Sequence, residues 1–95
     1  MEEAIEKILR NFVFRGGDLP EVIIKSGISP DNGKTFYRVH VMIPKKHEVY
    51  LSLLGNIEIM ERLKTALVAL GLSGVTANRF IDNYGDMLMT TEGYI

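Results

Sequence analysis

Between Thr35 and Ile43 the chain reads TFYRVHVMI, and no other stretch constrains the fold as much. β-branched and aromatic residues dominate it, which suits a pleated strand. Side chains alternate between the two faces of a strand. Tyr37, Val39, Val41 and Ile43 therefore share one apolar face, while Phe36, Arg38, His40 and Met42 share a mixed one. A strand divided in this way belongs in an antiparallel sheet with one face on a core and the other turned outward. Pro44 ends the run, because proline cannot donate to a strand ladder.

The residues before this strand make it half of a hairpin. SPDNG (29–33) is dense in turn formers: proline presets φ, Asp and Asn cap their own backbone, and glycine supplies positive φ. EVIIKSGI (21–28) has strand composition and supplies the other arm. The letters GKT at 33–35 do not make a phosphate-binding P-loop. The pattern G-x-x-x-x-G-K-[ST] would put its first glycine where Ile28 stands, and a helix rather than TFYRVHVMI should follow.

Two helices are expected around the hairpin. In EEAIEKILRNFV the residues Ile5, Ile8, Leu9 and Phe12 follow helical spacing, and Glu2 and Glu3 suit the positive end of the helix dipole. Asn56 can cap a second helix, IEIMERLKTALVALGL, with Met60, Leu63, Leu67 and Leu70 on one side and Ile59 and Ala66 beside them. Gly71 or Gly74 can end it. Residues 45–54 fit either a strand or a short helix. The tail GVTANRFIDNYGDMLMTTEGYI reads as two strands joined near DNYGD, the second holding Met87 to Thr91. Its first part, 76–84, also has helical spacing at Ala77, Phe80, Ile81 and Tyr84.

On the strand reading the order is αββαββ over a single α+β domain, residues 1–95. Two main helices would lie on one face of a mainly antiparallel sheet, a two-layer sandwich equivalent to a ferredoxin-like fold with permuted ends. A hydrophobic content of 46% supports one modest core in a chain of 95 residues. The chain has no cysteine, which excludes disulfides and thiolate metal sites. No apolar run is long enough for a membrane helix, and the acidic start is unlike a signal peptide, so a cytoplasmic protein with no membrane partner is expected.

The net charge of −1 is unevenly placed. Residues 23–47 carry Lys25, Lys34, Arg38, Lys45 and Lys46 against Asp31, a local +4, together with His40 and His47. Such a stripe can attract phosphates or an acidic protein surface. Groupings for catalysis or metal binding are missing from the pattern: no H-E-x-x-H and no G-x-S-x-G occur, and DNYGD lacks the register of a calcium loop. A non-enzymatic protein without catalytic, metal or cofactor-binding residues is the expectation.

Two local patterns resemble known modules. ALGLSGVTANRFI (69–81), after the second helix, is similar to the turn of a helix-turn-helix, which would span 59–84 with Thr76, Asn78 and Arg79 opening a recognition helix. VHVMIP, a helix, then LGLSGVTANRFIDNYGDMLMTTEGY (residues 39–94 in all) resembles PII-like signalling proteins. Gly71, Gly74, Thr76 and Gly85 fit, and Asn83 stands where the first loop glycine would be. That resemblance implies a ferredoxin-like fold and a tendency to oligomerise, and no ligand residue is carried over.

The leading functional expectation is a binding module that self-associates, as a homodimer or higher homo-oligomer, through the second face of the hairpin. Its partner-binding candidates are Phe36, Arg38, His40, Met42 and Lys25, with Lys45 and Lys46. The alternative is nucleic-acid binding, by the basic hairpin with aromatic stacking or by the helix-turn-helix.

Overall fold

In a computed structural model, residues 1–14, 20–46 and 53–95 are described. Helix α1 spans Glu2–Ile8 and runs into a π-helical turn over Leu9–Val13. Strands β1 (Glu21–Ile28) and β2 (Thr35–Ile43) follow, then helix α2 (Leu53–Ala69), then strands β3 (Ser73–Ile81) and β4 (Met87–Tyr94). The four strands form one sheet in the order β1-β2-β4-β3, and every neighbouring pair is antiparallel. The chain is therefore α+β, with two helices and a four-stranded sheet among the described residues, an arrangement compatible with two layers.

The core contains the apolar face of β2. Val39, Val41 and Ile43 are fully buried with Met87 and Met89 of β4, and the helices close over them with Ile5, Leu9, Ile59, Leu63, Ala66 and Leu67. Burying an aliphatic side chain of this size contributes roughly 1.5–3 kcal/mol. Tyr37, Val22 and Ile24 pack partly buried against the same cluster.

Helix α1 departs from its expected face in one respect. Ile5 and Leu9 are buried as the spacing predicts, but Phe12 is 46% exposed and Val13 takes the core position. The cause is the π turn: Phe14 N–H donates to Leu9 C=O, five residues back, so each turn holds more residues and the buried stripe advances from Leu9 to Val13. Helix α2 starts at Leu53, so Asn56 lies inside the helix rather than at its cap. Its C-terminus is a Schellman end. Gly71 has φ of 95°, its N–H bonds to Val68 C=O, and the Leu72 N–H bonds to Leu67 C=O. Leu67 and Leu72 are both buried there, which is the apolar contact that accompanies this motif.

Residues 73–81 form strand β3, paired with β4 along its length and shifted in register between Ser73 and Thr76. The helix-turn-helix expectation over 59–84 is thereby corrected. The helix spacing of Ala77, Phe80, Ile81 and Tyr84 lost to backbone pairing with β4, which the local pattern could not represent. The ambiguous segment 45–54 falls largely outside the described residues, as does His47. Lys45 and Lys46 lie in a turn, and α2 is already formed at Leu53.

Candidate functional site: the open face of the sheet

The SPDNG turn is tied by its own groups. Gly33 N–H donates to Ser29 C=O and Ser29 N–H to Lys34 C=O, at 2.9 and 2.8 Å. The Asn32 side chain accepts from Lys34 N–H at 2.9 Å, and Gly33 has φ of 71°. The backbone donors that a phosphate cradle would aim outward are turned into the loop. DNYGD is similar: one oxygen of Asp82 accepts from Tyr84 N–H and Asp86 N–H, and Asp86 accepts from Lys45 N–H at 2.8 Å. Among the described residues no three His, Asp or Glu side chains group as metal ligands, and no helix is long and apolar enough to cross a membrane.

The face of the sheet opposite the core is where the candidate residues meet. Directly paired residues of antiparallel strands share a face, so the register defines its rows. Met42, Leu88 and Phe80 lie side by side across β2, β4 and β3, with Glu21 on β1. Ile23, His40, Thr90 and Asn78 form the next row, and Lys25, Arg38, Glu92 and Thr76 the next. Phe36 and Tyr94 close the face, and the Phe36 ring lies over Gly27, where a Cβ would come within 3.1 Å of it. Ile23 is 48% exposed and Phe80 65%. Glu21, Ile23, His40, Met42 and Leu88 line a shallow depression of about 80 Å³.

Two polar pairs here are partnered within the sheet. Arg38 Nε donates to Glu92 Oε2 at 2.9 Å, and the guanidinium sits 5.2 Å from the centre of the Phe36 ring. An ion pair this open to solvent contributes at most about 1 kcal/mol. His40 Nδ1 lies 3.1 Å from Thr90 Oγ1. Partial burial holds the His40 pKa below its usual value, Lys25 and Arg38 push it down further, and Glu92 opposes them. The imidazole is therefore mainly neutral at pH 7.

Of the residues expected from sequence, this face brings together Lys25, Phe36, Arg38, His40 and Met42. Lys45 and Lys46 lie beyond the end of β2, the former beside Gly85, and Lys34 lies in the turn at the strand's other end. β2 is roughly 30 Å long at the rise of an extended strand, so these cations do not form one patch. The residues missed from sequence are Leu88, Thr90, Glu92 and Tyr94 of β4 and Phe80 of β3. The alternation in MLMTTEGY could have assigned the face of the β4 residues; only the register could pair Glu92 with Arg38. Compared with protein-family models, with curated proteins and with solved structures, the chain matches none.

Proposed function

We propose that the protein is a non-enzymatic binding module that self-associates through the open face of its sheet. The observation that carries this reading is the apolar row of Met42, Leu88 and Phe80, flanked by Ile23, on the face that neither described helix covers. Grouped apolar exposure of this kind usually marks an interface. A second copy is the fitting occupant because the charges there balance. Lys25 and Arg38 oppose Glu21 and Glu92, so two such faces do not repel. The fold reading behind it is a ferredoxin-like sandwich with permuted ends. Starting the observed order at β2 and joining the chain ends would give β-α-β-β-α-β, and the region with the PII-like resemblance supplies its first four elements.

Sedimentation at micromolar concentration tests the reading: a dimer is expected, and a clean 10.7 kDa monomer would overturn it. Titration with labelled oligonucleotides at low and high salt separates the nucleic-acid class. Salt-sensitive binding by a monomer would favour that class instead. The pairing of Arg38 with Glu92 and the scatter of the lysines argue against it.

A further inference from the structure

We infer that self-association, on the reading just given, uses a two-fold axis lying in the plane between the sheets, parallel to β2 and β4 and midway between them. It places Arg38 of each copy over Glu92 of the other. The inference rests on the register of the central strand pair. Phe36 pairs with Tyr94, Arg38 with Glu92, His40 with Thr90 and Met42 with Leu88, all on the open face. β2 and β4 are the two inner strands of the order β1-β2-β4-β3, so an axis between them runs down the middle of the face.

Rotation about that axis exchanges the two strands without moving residues along them. Each residue of β2 and β4 then comes to lie over its own in-sheet partner from the second copy. The complementarities of the central strand pair are thereby repeated between the sheets. Aromatic faces aromatic in the row of Phe36 and Tyr94. Cation faces carboxylate in the row of Arg38 and Glu92, imidazole faces hydroxyl in the row of His40 and Thr90, and apolar faces apolar in the row of Met42 and Leu88. Strand directions stay aligned, as in face-to-face packing of sheets about 10 Å apart, a gap that Arg and Glu side chains span from both sides. Arg38 and Glu92 are 38% and 23% exposed in the single chain, so part of their desolvation has already occurred. The same rotation sets the edge strands β1 and β3 over one another, so Glu21, Ile23 and Lys25 fall at the rim opposite Phe80, Asn78 and Thr76 of the second copy.

A two-fold axis across the strands would instead reverse the order of the rows. With the His40 row at the centre, Arg38 would lie over the second copy's Met42 or Leu88 row, leaving charge against apolar surface. The parallel axis avoids that mismatch in the rows of the two central strands.

Charge reversal tests the geometry. Arg38→Glu places four carboxylates together at the interface and Glu92→Arg places four cations there. Each variant alone should self-associate roughly a hundredfold more weakly than the parent. Mixed one to one, they should form a heterodimer, because the acidic row of one faces the basic row of the other. The double variant Arg38→Glu/Glu92→Arg restores the pair within and between copies and should again dimerise alone. It also controls for folding, together with the circular dichroism of each single variant. If the parent is monomeric, the self-association reading fails and the inference fails with it. If the parent dimerises but the single variants dimerise equally well, or the folded variants do not combine on mixing, the axis is wrong and self-association stands.

Discussion

The two faces of the sheet are built from the same strands and differ in almost every physical respect. On the covered face Val39, Val41, Ile43, Met87 and Met89 are fully buried, and their contribution is lost water contact and close packing. On the open face Met42 and Leu88 are only half-buried, and the strands are joined there by an ion pair and a His–Thr contact. The covered face has one demanding polar feature. Thr91 is buried, and its hydroxyl has no hydrogen-bond partner among the described residues. The open face carries more polar groups at less cost because water reaches them. Stability therefore resides in the covered face, whereas the proposed self-association would use the open one.

The comparison can be broken first by equal truncations. Met89→Ala should destabilise the chain by about 3 kcal/mol, through lost burial and the cavity left behind. Met42→Ala should cost the monomer less than about 1 kcal/mol, since its site is already partly wet. Urea unfolding at high dilution measures both, and similar losses would show that the faces are not distinct. A second substitution probes close packing. A Cβ on Gly93 would lie 3.0 Å from Leu72 Cβ, Leu72 Cδ2 and Val75 Cγ2, so Gly93→Ala should cost about 2 kcal/mol in the same assay. An unchanged midpoint would mean that Leu72 and Val75 leave more room over Gly93 than these distances give.

Removing the covered face's polar defect should have the opposite sign. Thr91→Val replaces an unpartnered buried hydroxyl by a methyl group and should raise stability by about 1 kcal/mol. A loss on thermal or urea unfolding would show that the hydroxyl has a partner. The smallest effect lies on the open face and depends on pH. The His40 pKa is lowered in the folded chain, by burial first and then by Lys25 and Arg38. The unfolded chain therefore binds the proton more readily, and stability present above the ordinary value of 6.5 is lost as pH falls through and below it. The His40→Gln variant should flatten this part of a stability-against-pH curve. The same slope with and without His40 would assign the effect elsewhere.

Local pattern carried a good part of this architecture. The two faces of β2 follow from alternation alone, because the strand period leaves no other way to segregate Val39 and Val41 from Arg38 and His40. The turn at 29–33 followed from residues whose backbone preferences act within a few positions. The buried stripe of α2 was legible in part: Leu63 and Leu67 are buried as the helical spacing predicts, but Ile59 and Ala66 are buried with them while Met60 and Leu70 are only partly so. The candidate face was half legible: its β2 residues could be named from alternation, its β4 residues could not be set opposite them.

Tertiary structure decided the rest. Whether 73–81 became helix or strand depended on pairing with β4, a contact whose worth no property of residues 73–81 reveals. The exchange of Phe12 for Val13 in the core came from a π turn, which a regular helical period does not anticipate. Arg38 met Glu92, 54 residues away, through the register of β2 on β4. Residues themselves determine which side of a strand is apolar, because that is a matter of period. Which strands become neighbours, and in what register, is set by how the whole apolar surface is most completely buried.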